Sequence, residues 1–226
     1  MNREPKSLLC STGCVRARRF PGTAVWPGGS SAAHAGFSRL ELLIVLALIL
    51  VLFTMYWGSG ASGRRREQQR ACMDNLQKIF IALQIYANEH EARFPVLVGA
   101  RTSEDPLNEL VPHYTVDTSV FICPGSKDSP LPAGEPFRQL KISYAYYMGR
   151  RATDPPLALM SDRQVDTQAR APGQFAFSGS GKPPGNNHEG RGGNFLFSDG
   201  HVEFSPAQVP FAIELTQAVV LLNPKP

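Results

Sequence analysis

The 226-residue chain lacks the short motifs that mark the commonest enzyme active sites. It contains no Gly-x-Ser-x-Gly, no His-Glu-x-x-His and no phosphate-binding loop of the Gly-x4-Gly-Lys-Ser/Thr type. The glycine-rich stretches 179–181 and 190–193 lack the strand-to-helix setting that such loops need, and they are predicted as surface loops. We therefore expect a protein that is not an enzyme.

The chain beyond residue 36 also lacks net charge. Of the 23 basic and 19 acidic side chains, five basic and one acidic lie in residues 1–36, which leaves 18 of each sign in residues 37–226. The formal charge of +4 therefore belongs to the first 36 residues. A nucleic-acid partner requires a basic face on the folded domain, and this balance predicts no such partner.

Cysteine is scarce as well. Cys10 and Cys14 lie in the first 36 residues, where no second cysteine pair completes a metal site. Cys72 and Cys123 remain, a number that can form one disulfide if this part of the chain lies outside the cytoplasm. The loop that they would close has about 50 residues, which is worth on the order of 4 kcal/mol. Two buried free thiols are the alternative.

Polar residues are nearly absent from residues 42–57, where Thr54 is the exception. A helix made of the 21 residues 37–57 would be roughly 31 Å long, which matches the hydrocarbon core of a bilayer. Tyr56 and Trp57, at one end, are typical of a membrane interface. The pattern predicts a transmembrane helix. A buried core helix and a signal peptide cleaved within residues 58–63 are the alternatives.

One carboxylate stands at the start of this apolar segment. Glu41 follows Gly36 by five residues, in the sequence GFSRLE. A charge at the edge of a hydrophobic stretch costs a few kcal/mol unless a partner meets it. The pattern therefore indicates a neighbouring group, or a processing step, that needs this carboxylate.

Gly36 and Phe37, followed by Glu41 and an apolar helix, resemble the cleavage signal of type IV prepilins and type II secretion pseudopilins. The resemblance implies that prepilin peptidase cuts between Gly36 and Phe37 and that the new terminal Phe37 is N-methylated. It also implies that Glu41 pairs with the terminal amine of a neighbouring subunit. The chain is then expected in the bacterial inner membrane as a single-pass protein, with its C-terminal domain in the periplasm or in an extracytoplasmic filament.

A second helical pattern follows the apolar segment. Residues 64–90 place an apolar stripe at helical spacing, and Pro95 ends any helix by that point. The stripe consists of Cys72, Leu76, Ile79, Phe80, Leu83 and Ala87. We predict one long helix, loosened at the glycines of residues 58–63, whose second half packs on a domain.

Residues 96–226 show short strand-like runs between prolines and glycines. The predicted strands are Val120–Ile122, Ile142–Met148, Leu157–Met160, Gln174–Ser178, Asn194–Ser198 and His201–Phe204. Asp199-Gly200 lies between the last two, which predicts a hairpin with a type I′ turn. An antiparallel sheet with one face against the helix follows from this pattern. The tail 207–222 is predicted as weakly helical.

His188 and the Asp199-Gly200 turn add a second resemblance. Together with Cys72 in the first helix and the segment Cys123-Pro124, they resemble a bacterial pseudopilin-like family with a His-x9-Asp-Gly motif near the C-terminus. Here ten residues separate His188 from Asp199, one more than in that motif. The family has no well-defined chemistry for these residues, so the resemblance implies none.

One group of side chains in the sequence can supply a metal site. Calcium prefers six to eight oxygen ligands, and Asp162 and Asp199 with loop carbonyls are the candidates. The whole group comprises Asp162, Asp166, His188, Asp199 and His201. The alternative is structural, with Asp199 forming the turn and Asp162 ending a strand.

These observations predict a pilin-like α+β fold, in which a long N-terminal transmembrane and amphipathic helix packs on an antiparallel β-sheet. The expected organisation is a leader 1–36, a transmembrane helix 37–57, a helix continuation 58–95 and a β-rich domain 96–226. The expected function is that of a structural subunit in a type II secretion or type IV pilus-like filament, with prepilin peptidase, other pseudopilin subunits and inner-membrane lipid as partners. The rivals are a membrane-anchored binding module and a metal-dependent hydrolase that uses His188, Asp199 and Asp162.

Overall fold

The structure is a computed structural model that describes residues 38–171, 173–213 and 215–226. It divides into two compact units, with the boundary between Ile49 and Leu50. The predicted leader 1–36, the cleavage site after Gly36 and the methylation site Phe37 lie outside the described residues.

Helix α1 runs from Arg39 to Glu89, a length of 51 residues. The stretch Arg39–Tyr56 is long and apolar enough to cross a membrane, and all of its side chains are exposed. The predicted continuation of the helix is confirmed, since α1 runs without a break through residues 58–63, where the glycines were expected to loosen it. Each glycine costs about 1 kcal/mol relative to alanine in a helix, but glycine keeps the backbone N–H group that proline lacks. An interruption would instead leave two new helix ends to satisfy.

The second half of α1 forms one side of the main core. Cys72, Leu76, Ile79, Leu83 and Ala87 are buried, as their helical spacing predicts. They belong to the same apolar cluster as sheet residues from three strands, namely Tyr144, Tyr146, Met160 and Leu196. The predicted α+β class and the helix on an antiparallel sheet are therefore confirmed for the described residues.

The sheet has five strands, and every neighbouring pair is antiparallel. The strands are β1 (Tyr144–Met148), β2 (Ala158–Asp162), β3 (Gly192–Phe197), β4 (Val202–Pro206) and β5 (Val220–Leu222). Their order across the sheet is β4-β3-β2-β1-β5. The prediction of a weakly helical tail at residues 207–222 is wrong, since the described residues of this range form turns and irregular backbone and end in β5, which pairs with β1 through Leu222 opposite Tyr146.

Two of the predicted strands have another conformation. Residues 174–178 are irregular, although Ala176 and Phe177 are buried. Val120 lies in a 3-10 helix, Thr118–Phe121, whose N-cap Asp117 accepts a hydrogen bond from the backbone N–H of Ser119. The apolar runs had signalled burial correctly, but burial in a loop layer gives the same short pattern as burial in a strand. The other short helices are α2 (Glu104–Leu107) and a 3-10 turn, Asn108–Leu110.

Both faces of the sheet are covered. Side chains alternate along β1, so that Tyr144 and Tyr146 face the α1 side while Ala145 and Tyr147 belong to a second apolar cluster. That second cluster includes Phe195 from β3 and residues of the loop layer, namely Ala176, Phe177, Ala207 and Ile213. The sheet is thus a middle layer rather than one with a solvated face.

The turn between β3 and β4 lies against α1. Gly200 has φ +90°, whereas Asp199 has no positive φ, so the predicted type I′ turn is wrong. The N–H of Gly200 donates to the carbonyl of Phe197 at 3.0 Å, and the N–H of Phe197 donates to the carbonyl of His201 at 3.0 Å. A Cβ at Gly200 would lie 2.5 Å from the ring of Phe80. Glycine is therefore required here by backbone conformation and by the close approach of the helix.

Candidate functional site

Four metal-ligating side chains meet between α1 and the sheet. They are Cys72, Cys123, Asp162 and His188, all of them buried, and their ligand atoms lie within 4.8 Å of one another. Each comes from a different part of the chain: Cys72 from α1, Asp162 from the end of β2, and Cys123 and His188 from two loops. We call these four residues the buried cluster.

The two cysteines of the buried cluster form a disulfide. The Cα atoms of Cys72 and Cys123 are 5.1 Å apart, and the two residues are separated by 51 positions in the sequence. Cys72 faces inward on the apolar stripe of α1, and Cys123 follows the 3-10 helix Thr118–Phe121. The predicted disulfide is confirmed, and it ties the helix covalently to the domain.

Asp162 is fully buried, and both oxygens of its carboxylate accept hydrogen bonds. Its Oδ2 accepts from the backbone N–H of Asn194 at 2.7 Å and from Asn194 Nδ2 at 3.0 Å. Its Oδ1 accepts from Asn187 Nδ2 at 2.9 Å. His188 Nε2 lies 3.2 Å from Oδ2. A buried carboxylate with this many donors is satisfied without a solvent contact.

His188 reaches the cluster from the loop that precedes β3. Its Nε2 lies 3.6 Å from Cys123 Sγ and 3.2 Å from Asp162 Oδ2. With the proton on Nε2, the ring donates to the carboxylate, and Asn194 Nδ2 at 3.3 Å is then a contact between two donors. The other ring nitrogen faces Gly125, where an added Cβ would lie 2.6 Å from Nδ1. Gly125 is therefore a residue that gives the imidazole room.

Tyr144 completes the polar surroundings of the disulfide. Its hydroxyl lies 3.2 Å from Cys72 Sγ and, because a disulfide sulfur carries no proton, the hydroxyl is the donor. Burial raises the pKa of Tyr144 well above its ordinary value, and the nearby Asp162 carboxylate raises that pKa further. The phenol therefore stays protonated and keeps its donor role.

The register of the sheet explains why these groups meet. Tyr144 of β1 is directly opposite Asp162 of β2. Ser161 is opposite Phe195, so the next pair outward brings Asp162 beside Asn194. Sequence reasoning selected Asp162 but missed Asn187 and Asn194, because amide side chains in a glycine-rich loop and a strand carry no distinctive spacing. The dipeptide Asn186-Asn187 next to His188 was the only available signal.

The predicted motif residues occupy two separate places. His188 belongs to the buried cluster, whereas Asp199 lies in the exposed β3–β4 turn and binds the ring of His201, with 2.6 Å between Oδ1 and Nδ1. Desolvation acts to raise the pKa of Asp199, but hydrogen bonds from the backbone N–H and the ring of His201 hold it below its ordinary value. Asp166 pairs with Arg170 at 3.0 Å.

The calcium and hydrolase hypotheses both need Asp199 near Asp162. The described residues bring Asp162 together with His188 and the two cysteines, and Asp199 is not in that group. The structure gives Asp199 the imidazole of His201 as its partner instead. Calcium binding stays a prediction. The described residues do not bring Asp162 and Asp199 together as two of its ligands.

A cleft of about 690 Å³ lies next to the buried cluster. Its wall includes Asp128, which pairs with Lys141 and with Arg163 at 3.4 Å each. The remaining lining residues include Gln68, Gly125, Asn187 and Glu189.

Comparison of the chain with protein-family models, with curated proteins and with solved structures finds no match.

Proposed function

We propose that this chain is a membrane-anchored, pilin-like subunit that assembles into a type II secretion or type IV pilus-like filament. The observation that carries the proposal is Glu41 in the first turn of α1. It is the only acidic residue of the apolar stretch Arg39–Tyr56, and its side chain is exposed.

Electrostatics supports a partner for this carboxylate. In a bilayer, a lone carboxylate at the edge of the hydrocarbon costs a few kcal/mol. The N-terminal end of a helix offsets part of that cost through its dipole. Cleavage after Gly36 would place a new terminal amine four residues before Glu41, and the same amine of an adjacent subunit can neutralise it. Assembly would then depend on a charge pair in a medium of low dielectric constant, where such pairs are strong.

The second half of α1 supports the same function. From Cys72 to Ala87, its inward stripe is buried against the sheet of the domain, and the disulfide fixes it there. A helix that is apolar and exposed at its start and fastened to a domain farther along suits a subunit whose anchors pack side by side. The domains would then coat the filament.

The processing step is tested at the N-terminus of the protein isolated from its native membrane. We expect mass spectrometry to find a chain that starts at Phe37 and carries one added methyl group on its terminal nitrogen. Deletion of prepilin peptidase should leave residues 1–36 in place. A native chain that retains residues 1–36, or that begins near residue 60, would contradict the proposal.

The assembly role is tested at Glu41. Replacing Glu41 by valine should lower incorporation into filaments at least about tenfold, which corresponds to about 1.4 kcal/mol of lost pairing, while membrane insertion stays intact. The matched control is Glu67→Val, because Glu67 is an exposed glutamate on the same helix beyond the apolar stretch. Cross-linking of membrane fractions, followed by blotting, measures incorporation.

A membrane-anchored binding module is the second candidate, and the 690 Å³ cleft favours it. In that case α1 serves only as an anchor, and assembly does not depend on the carboxylate. Unchanged cross-linking of the Glu41→Val variant would support the binding module and reject the filament subunit.

A further inference from the structure

Three of the distances within the buried cluster are close to those between the ligands of a tetrahedral metal ion. Zn²⁺ binds sulfur at about 2.3 Å and nitrogen or oxygen at about 2.0–2.2 Å, which places neighbouring ligand atoms roughly 3.3–3.8 Å apart. Cys123 Sγ is 3.6 Å from His188 Nε2, His188 Nε2 is 3.2 Å from Asp162 Oδ2, and Cys72 Sγ is 3.4 Å from Asp162 Oδ1. The two sulfurs are bonded to each other, the imidazole and the cysteine contact different oxygens of Asp162, and all four ligand atoms lie within 4.8 Å of one another, so small side-chain shifts would bring them around one metal ion.

The donor set selects the kind of metal. Two thiolates, an imidazole and a carboxylate suit zinc, whereas calcium and magnesium prefer oxygen ligands. Four protein ligands fill a tetrahedral shell and leave no open position for a substrate. Such a site is structural rather than catalytic.

We infer that reduction of the Cys72–Cys123 disulfide converts the buried cluster into a structural Zn²⁺ site with Cys72, Cys123, Asp162 and His188 as ligands. A dithiol reductant supplies two electrons and two protons. Its own sulfurs become a disulfide, the Cys72–Cys123 bond breaks, and each cysteine becomes a thiol. When Zn²⁺ binds, both thiols release their protons to solvent, the two sulfurs separate to about 3.8 Å, and each forms one bond to the metal.

The surroundings suit the charge that this site would carry. Two thiolates and one carboxylate leave a net charge of −1 after Zn²⁺ binds, and groups that donate hydrogen bonds already surround them. Tyr144 points its hydroxyl at Cys72 Sγ, and Asn187 and Asn194 donate to Asp162. Donors in this outer layer orient the ligands and offset their charge. His188 binds through Nε2, which moves its proton to Nδ1 on the side of Gly125.

A cavity next to His188 offers a metal ion a path to the buried cluster. A small cavity of about 10 Å³, the size of one water molecule, borders His188. Its lining also includes Gln68, Gln69, Arg191 and the ion pair of Arg65 with Glu189. Gln68, Gly125 and Glu189 line the large cleft as well. The imidazole is therefore the ligand nearest to solvent, and the two sulfurs lie behind it.

The experiment uses the full chain in detergent with Cys10→Ser and Cys14→Ser, so that Cys72 and Cys123 are its only cysteines. The protein is reduced with a dithiol, separated from it without oxygen, exposed to Zn²⁺ and freed of unbound metal. We expect one Zn²⁺ per reduced chain and none per oxidised chain. His188→Ala and Asp162→Asn should each lower the affinity by more than about 100-fold, beyond the usual effect of an outer-layer residue.

His201→Ala is the matched control, since His201 is an exposed histidine in the β3–β4 turn, and it should bind Zn²⁺ like the parent. Co²⁺ provides a readout that needs no ligand variant. The reduced parent should show intense sulfur-to-cobalt charge-transfer absorption, and the oxidised parent should not. Equal Zn²⁺ in both redox states, no Zn²⁺ or Co²⁺ signal in the reduced parent, or parent-like affinity in both ligand variants would overturn the inference.

This inference is independent of the proposed function. It concerns one subunit and its redox state, whereas filament assembly rests on Glu41 and the N-terminus. Either can fail while the other holds.

Discussion

Replacing Asp162 by alanine should lower the free energy of unfolding of the oxidised protein by about 3–5 kcal/mol. The change removes the acceptor for three N–H groups of Asn187 and Asn194 and for the ring of His188. All of these groups are buried, so solvent cannot replace the lost carboxylate. Urea unfolding of the detergent-solubilised full chain, followed by circular dichroism, measures the loss.

The control for this prediction is Asp74→Ala, because Asp74 is an exposed aspartate on α1. Surface substitutions of this kind usually change stability by no more than about 0.5 kcal/mol. Asp162→Asn should fall between the two variants, since the amide keeps the shape and one oxygen but turns a donor toward other donors. A stability of Asp162→Ala within the range of the control would show that the carboxylate is not the acceptor that organises the cluster.

Loss of the disulfide should destabilise the protein by about 4 kcal/mol, the entropic value for a closed loop of this length. We expect this result for Cys123→Ser in a metal-free buffer, and an equal result for the parent after reduction. The physical reason is the larger conformational freedom of the unfolded chain once Cys72 and Cys123 are not joined. Unfolding midpoints with and without a dithiol provide the measurement.

Cys10→Ser/Cys14→Ser is the appropriate control for the disulfide, as it removes two cysteines from the first 36 residues. It should leave the midpoint unchanged, and reduction should still destabilise it. Zn²⁺ added to the reduced control should restore part of the loss, since a ligand that binds only the folded state stabilises it. Two titratable thiols in the native, non-reduced protein would contradict the disulfide itself.

The helix could be predicted from the sequence because its signals are local. The apolar run after Glu41 and the inward stripe from Cys72 to Ala87 both depend on spacing along one element. Its end was less well determined. Pro95 fixes only the latest residue at which the helix can end, and α1 in fact ends at Glu89. Glu91 and Ala92 then have positive φ angles, which turn the chain away from the helix axis.

The strands were harder to predict because their pairing is not local. β5 has only three residues, and all of them pair with β1, which lies far away in the sequence. The run at residues 174–178 has the composition of a strand, but it packs over the sheet as an irregular layer. Short apolar runs report burial, and the partner that decides between strand and loop is not encoded within them.

The buried cluster shows the same limit at the level of a site. Its four members were all singled out from the sequence, but in two separate hypotheses, a disulfide of Cys72 with Cys123 and an oxygen-rich metal site around Asp162. What unites them is the packing of α1 on the sheet and the register that places Asp162 next to Tyr144 and Asn194. Neither this packing nor this register can be predicted from the spacing of the residues in the sequence.

The covalent bond between α1 and the domain also has a mechanical meaning. A pull applied to α1 ahead of Cys72 reaches Cys72 before it reaches Leu76, Ile79 and Leu83. Without the bond, such a force would act directly on the packing contacts that these turns make with the sheet. With the bond in place, the force passes from Cys72 to Cys123 and so into the domain. The turns of α1 that follow Cys72 then carry less of this force.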